Sequence, residues 1–380
     1  MANQPFVSIL IPVKNFERTI EKTFEYLLDV DYPRDSWEWV IADGGSTDKT
    51  LEIIGQWQKK YPFIKLVQVP NSPSPGYARN KALEQVRGDY IFFTDADCAP
   101  CTDWIKQMLK IFEKDDKIAA VGGEVYTLRV DPNNLVELWC QHFRFNMVAP
   151  RYAFIKEGYF ATLPEDPLPT QVAGHRAYFF GTCNVAYKVA AMKKIGARFW
   201  DNPTGEDMDL SFQHQKQGWK YYFLPTAKVD HMHRADVKAL RKVWVAYGAA
   251  HMPLLKKYLK KKRMEIILQF IKGNPAIHFP FPLAGFIYIG NFHLLHIFSL
   301  LTIIGLVLSL VGKAAVIFTI ISALLTLYFA YQYVKWNLSM EPKSKFWFWC
   351  KMKYLTNLSF FIGGLKGFKK YKILCIEPSF

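Results

Sequence analysis

The chain has 380 residues, with 48 Lys plus Arg against 33 Asp plus Glu (net +15), 51% hydrophobic and 16% aromatic residues. That apolar content excludes a disordered chain, and the lack of any tripeptide or heptad repeat excludes a fibrous one. Residues before 236 mix charge and apolar alternation as a soluble enzyme does, whereas 283–334 is almost uncharged, so a soluble domain followed by a membrane region is expected.

The opening MANQPFVSILIPVKN has neither a basic segment nor a small-residue cleavage site, so it reads as a strand and not as a signal peptide. FVSILIP predicts a buried strand, 17–28 a helix, WEWVIA a second strand and 48–60 a second helix; IKLVQV, 77–86, YIFFT, 104–112 and IAAVGG continue the alternation. Such a series implies βαβ crossovers and a mostly parallel sheet covered on both faces. Ligands in these sheets bind beyond the carboxyl ends of the strands. Residues 132–176, aromatic and containing LPEDPLP, read as an excursion over the sheet. Order returns from 177 through YFFGTCNVAYK, a helix at 189–195, GEDMDLSF and a strand at 221–224.

Past 236 a basic amphipathic helix with Trp244, Tyr247 and Met252 is expected at a bilayer surface. Residues 291–311 and 314–334 each have the length to cross a hydrocarbon core, and Gly312 with Lys313 turns them into a hairpin. The stretch 346–367 carries Lys351 and Lys353 centrally, which places it in the interface and not across the core. The expected division is therefore a sheet domain at 1–235, an interfacial region at 236–282, a transmembrane hairpin at 283–335 and a basic aromatic segment at 336–380. Basic residues cluster beside apolar segments (Lys256, Lys257, Lys260, Lys261, Lys262 and Arg263, then Lys366, Lys369, Lys370 and Lys372), which favours anionic lipid over nucleic acid as partner. They also put both flanks of the hairpin in the cytoplasm, making this a multi-pass protein of the cytoplasmic (inner) membrane with its sheet domain facing the cytoplasm. Six scattered cysteines fit reduced thiols in that compartment.

Four polar constellations stand where apolar runs stop. Asp43 closes WEWVIA and opens DGGSTD; a strand-end carboxylate suits hydrogen bonds from a nucleobase, against the plainer reading that Asp43 and Ser46 cap a turn. Asp95 and Asp97, in DAD after YIFFT, suit a hard divalent cation that also binds a diphosphate. In GEDMDL, Asp207 is preferred as a general base, while Asp209 reads as complement to a helix start. In VDHMHR, strand alternation sets His231 and His233 on one face, where one of them suits a metal, and a structural role is the competing reading. CAPC (Cys98, Cys101) lacks a second pair and reads as ordinary thiols; neither Ser-His-Asp spacing nor a phosphate loop occurs.

FVSILIPVKN, IADGGSTDKT, GYARNKAL, GDYIFFTDADC, FFGTCNVAYK, GEDMDLSF and VDHMHR, in this order over residues 5–250, resemble the membrane-associated inverting glycosyltransferases of family 2. The resemblance implies a GT-A fold, a Rossmann-like α/β domain, working on a nucleotide-diphosphate sugar with Mg²⁺ or Mn²⁺. It further implies that Pro12, Val13 and Asp43 line the nucleobase pocket, that Arg79 holds the nucleotide, and that Asp95 orients ribose or diphosphate. Asp97 and a motif histidine would hold the metal, Asp207 would be the base with Glu206 beside it at the donor, and Cys183 and Asn184 would sit near the donor sugar or acceptor. Gln213 stands where many relatives have Arg, and no Q-x-x-R-W motif follows, which argues for single addition over polymer synthesis. The expected activity is transfer from a UDP-sugar to a hydroxyl of a lipid-linked (polyprenyl-linked) glycan. A polyprenyl-phosphate sugar synthase and a non-catalytic membrane adaptor are the alternatives; the first needs no base and so fits the Glu-Asp motif poorly.

Overall fold

The computed structural model describes residues 4–144, 156–175 and 179–378. The point at 177 where order was expected to return, and 145–155 of the aromatic excursion, lie outside the described residues. The chain divides into two compact units, Met1–Glu165 with Gly174–Ala235, and Asp166–Ala173 with Asp236–Phe380.

The first unit is a mixed nine-stranded sheet. Its strands are β1 (Val7–Val13), β2 (Trp37–Asp43), β3 (Ile64–Gln68), β4 (Tyr90–Phe93), β5 (Cys98–Pro100), β6 (Ile118–Leu128), β7 (Gly158–Tyr159), β8 (Val185–Lys188) and β9 (Lys220–Met232), in the order β3-β2-β1-β4-β8-β6-β9-β5 with β7 on β9. The expected parallel pairing holds across β3-β2-β1-β4 and again at β6-β9. Antiparallel pairs enter where β8 runs back between β4 and β6 and where β5 and β7 join β9.

Alternation along the continuous apolar runs builds two cores. Val7, Ile9, Trp39 and Phe92 point to one, with Phe24 and Trp104 from helices Ile20–Leu28 and Trp104–Phe112. Leu10, Val40, Ile91 and Phe93 point to the other, with Ala78 from Pro75–Leu83 and Leu210 from Glu206–Lys216. The sheet is therefore covered on both faces, which is why its strands carry so few polar residues.

The second unit holds helices Val237–Tyr258 and Phe346–Tyr371, a four-stranded sheet and two apolar helices. Strands β10 (Arg263–Leu268), β11 (Ala276–Pro280), β12 (Gly285–Ile289) and β13 (Leu374–Ile376) occupy segments that the sequence suggested were interfacial or membrane-embedded. The helices Asn291–Leu308 and Lys313–Leu338 are long and apolar enough to cross a membrane, and little of either is buried. Thr302–Thr326 (3.3 Å) and Ser309–Thr319 (3.1 Å) hydroxyl contacts join them.

Asp166–Ala173, taken from sequence as an excursion over the sheet, belongs to this second unit. The reason is electrostatic: Asp166 pairs with Lys261 at 3.1 Å and with Arg263, and the Thr170 amide donates to Glu265 at 2.6 Å. Part of the basic run assigned to lipid is thus committed to an internal carboxylate.

Candidate active site

The ends of β1, β2 and β4 share one edge of the sheet. Because β8 is antiparallel to β4 with Phe93 opposite Val185, the residues entering β8 meet those leaving β4. Pro12 and Val13 end β1, and the Val13 carbonyl accepts from the Gly44 amide at 2.8 Å. Asp43 ends β2, 2% exposed, with its carboxylate accepting from Gly45 N (3.0 Å) and Ser46 N (3.1 Å). Gly45 has φ +92°, a conformation open to glycine, so the turn chemistry is present. A carboxylate has about four acceptor sites, and this turn leaves capacity for a further donor. The following loop is fastened to the one after β1: Asn15 N to Ser46 Oγ, Thr47 N to Asn15 Oδ1 and Glu17 N to Asp48 Oδ2, at 2.8–3.1 Å.

Asp97 follows β4 and faces β9. The pairing of Cys98 with His231 brings His231 Nε2 to 3.5 Å from Asp97 Oδ1, and Arg234 Nη1 stands 3.4 Å from Oδ2. Asp97 Oδ1 and His231 Nδ1 are buried without a hydrogen-bond partner among the described residues, and burial raises the Asp97 carboxyl above its usual range. Asp95, Asp97, Cys98 and His231 offer ligand atoms within 4.8 Å of one another. Carboxylate and imidazole with orphaned lone pairs fit a hard or borderline divalent cation. His233, the other expected ligand, lies outside this group. Its ring stacks on His231 at 4.9 Å, as alternation requires, but its Nε2 is 3.0 Å from Thr127 Oγ1.

Arg79 joins the two acidic motifs. Nearly buried in helix Pro75–Leu83, it donates from Nη1 to Glu206 Oε1 (2.7 Å) and from Nη2 to Asp95 Oδ1 (3.4 Å). The resemblance implied a contact to nucleotide; here the guanidinium brackets the acids of DAD and GED. Asp207 follows Glu206 at the start of its helix, with Oδ1 accepting from Met208 N at 2.8 Å. Burial, then the charge of Glu206, push its carboxyl up to about 7. Cys183 sits among these acids: burial first, then the charges of Asp95, Asp97 and Asp207, raise its thiol well above the usual range.

Asn184, expected at the donor, has another task. It is 1% exposed; both amide hydrogens go to the Glu124 and Ala227 carbonyls at 2.9 Å, and its oxygen accepts from Trp104 Nε1 at 2.9 Å. These carbonyls flank the register shift between β6 and β9, where the ladder leaves groups unpaired. Gly123 permits the arrangement, since a Cβ there would lie 1.7 Å from the Ala227 oxygen. Asp209 is likewise inside: Gln213 Nε2 donates to it at 2.7 Å and to the Arg198 carbonyl at 2.9 Å. Gln213 therefore has internal partners. Arg234, quoted in its motif but given no role from sequence, is the residue that reasoning missed.

Residues 8–195 match the family described as Glycosyl transferase family 2. The chain carries a family 2 glycosyltransferase domain, and its mixed α/β sheet is of the GT-A kind. It is 27% identical over 259 residues to a Methanococcus voltae protein named dolichyl N-acetyl-alpha-D-glucosaminyl phosphate 3-beta-D-2,3-diacetamido-2,3-dideoxy-beta-D-glucuronosyltransferase, covering 66% of this chain and 74% of that one. The aligned stretch is half or less of the next curated relatives. Among solved structures, S. aureus TarS 1-349 in complex with UDP-GlcNAc is 18% identical with a TM-score of 0.48, covering 67% of each chain. A mannosyltransferase from Pyrobaculum calidifontis in complex with GDP-Man and Mn²⁺ is 20% identical with a TM-score of 0.47, covering 67% of this chain and 64% of that one.

Proposed function

We propose that this chain is an inverting, metal-dependent transferase that moves a sugar from a nucleotide-diphosphate donor, UDP-linked by preference, to a hydroxyl of a lipid-linked glycan. The observation that carries the reading is the Arg79 bracket, which brings the acids after β4 and those opening helix Glu206–Lys216 to one edge of the sheet. Asp43, with Pro12 and Val13, receives the base at the ends of β1 and β2. Asp97 and His231 would hold Mg²⁺ or Mn²⁺, which when bound offsets charge on the departing diphosphate. Asp95 lies beside them. Asp207, deprotonated, accepts the acceptor hydroxyl's proton as that oxygen bonds to the anomeric carbon and the nucleoside diphosphate leaves. Arg79 and Glu206 position these acids. The relative whose name specifies a dolichyl-phosphate-linked acceptor supports the acceptor class, and the two apolar helices support attachment to a membrane.

Turnover with radiolabelled nucleotide sugars tests this. Transfer is expected to stop in EDTA, to return with Mg²⁺ or Mn²⁺, and to be lost in Asp97→Ala. Full turnover in chelator removes the metal from the mechanism, and no turnover with any donor under any metal leaves the adaptor reading in its place.

A further inference from the structure

Within the second unit, a cleft of about 510 Å³ opens between one end of the apolar helix pair and helix Phe346–Tyr371, lined by Asn291, Gln332, Lys335, Trp336 and Lys353 among others. Asn291 begins the first apolar helix and Gln332 to Trp336 approach the end of the second, so the cleft lies at one level of the hairpin. Lys353 is 7% exposed, yet no carboxylate pairs with it among the described residues. Its ammonium rests 3.6 Å from the centre of the Trp336 ring and 5.3 Å from that of Tyr333. Lys335, at the rim, also has no ion pair among the described residues. A nearly buried cation held only by aromatic faces lacks a counter-charge, and burial pushes its pKa down to about 7.

We propose that this cleft binds the anionic phosphate headgroup of a membrane lipid, with Lys353 as the anchoring cation and Lys335 at the rim. The inference rests on the membrane reading of the hairpin. A lipid is favoured over free phosphate by what surrounds the cleft. Between it and the turn at Gly312 and Lys313 the pair exposes a mostly apolar surface, with Leu300, Leu306, Leu324 and Leu327 each 58–66% exposed. Beyond the cleft the chain turns basic at Lys343 and Lys345 and presents Trp347, 81% exposed. Apolar flank, aromatic ring and lysine follow the order of acyl chain, interface and headgroup.

The full chain in non-ionic detergent is titrated with phosphatidylglycerol, with diacylglycerol of the same acyl chains, and with inorganic phosphate, reading binding by native mass spectrometry and thermal unfolding. Phosphatidylglycerol is expected to bind and to raise the unfolding temperature, and diacylglycerol is not. Lys353→Met keeps the stem and should weaken phosphatidylglycerol by roughly tenfold or more, the loss of one charge-assisted contact, with Lys353→Arg restoring most of it. An unchanged response in Lys353→Met, or equal stabilisation by diacylglycerol, overturns the site; saturation by inorganic phosphate alone overturns the lipid assignment. Should Lys353→Met not fold, Lys335→Gln is scored by the same titration, and an unchanged affinity there overturns the site. Vesicle flotation is a separate arm: failure of the parent chain to float refutes the membrane reading, whereas a floating chain indifferent to residue 353 refutes the headgroup site alone.

Discussion

Asp207→Asn separates two consequences of the same burial. The folded chain holds this carboxyl near a pKa of about 7, against an ordinary 3.8, because burial and Glu206 disfavour its charge. Between those values the unfolded chain is ionised at this residue while the folded chain keeps its proton. Stability therefore falls as pH rises through the window, and the penalty is complete above about 7. A rise of roughly three units is ~4 kcal/mol at about 1.4 kcal/mol per unit, an upper bound that partial solvent access brings toward ~2 kcal/mol. Asparagine never ionises, so the variant should exceed its parent in stability by that amount near pH 8, with the gap closing toward pH 4. Transfer should fall by about a hundred- to ten-thousand-fold, since the amide keeps the shape and loses the basicity. The parent's own rate should decline as pH drops below about 7, where the protonated base cannot take the hydroxyl proton. Radiolabelled transfer and thermal unfolding in one detergent across this range measure both effects. A variant less stable than its parent near pH 8 contradicts the burial argument. Near-native transfer contradicts the base assignment and indicates an acceptor that is already an anion, as a polyprenyl phosphate is.

Two further substitutions test the frame around that carboxyl. Arg79→Met leaves Asp95 and Glu206 without their shared cation and should cost about 3–5 kcal/mol, less to the extent that Asp95 is solvated, with Glu206→Gln in the same chain recovering part; chemical denaturation reads the change, and an unaltered midpoint rejects the bracket. Asn184→Ala strands two buried carbonyls and the Trp104 N–H, at about 1–3 kcal/mol each. It should lower the unfolding temperature while the folded protein keeps its nucleotide affinity by calorimetry, and selective loss of nucleotide binding would return Asn184 to the donor site.

The parallel half of the sheet was legible because its strands are short, mostly apolar runs separated by helical stretches, and β2 and β4 run straight into Asp-containing turns. Those two stops displayed Asp43, Asp95 and Asp97 at the carboxyl edge of the strands, and the acidic start of its helix displayed Asp207. Alternation likewise set His231 and His233 on one face. Alternation does not reveal which ring meets Asp97, since that depends on the register of Cys98 against His231 across 133 residues of chain. Direction was the other loss: nothing local in YFFGTCNVAYK says that β8 runs backward between β4 and β6. Asn184 illustrates the consequence. A polar residue at a strand entrance looks available to a ligand until the bulge between β6 and β9, visible only in three dimensions, claims both of its amide hydrogens.

The second unit was less legible for a related reason, because a sequence displays charges without their partners. Lys261 and Arg263 look like lipid-facing cations until Asp166, some 95 residues earlier, is found against them. Helix Val237–Tyr258 looks like a surface helix because its basic residues are conspicuous, while the feature that governs its packing is Gly248. A Cβ at that position would lie 2.3 Å from the Phe360 carbonyl oxygen, and one at Gly363 would lie 2.3 Å from that of Val245. Two helices that approach each other through glycine on both sides bury apolar residues between themselves, as Met252, 0% exposed and set against Gly367, attests, and have that much less to offer a bilayer. The apolar surface left for lipid is then that of the hairpin, Asn291–Leu308 and Lys313–Leu338, and the cations that matter most are those close to it. Lys353, which counted from sequence only as a cost to crossing the membrane, becomes informative for the same physical reason: a buried cation beside Trp336 needs a counter-charge, and no side chain among the described residues supplies it.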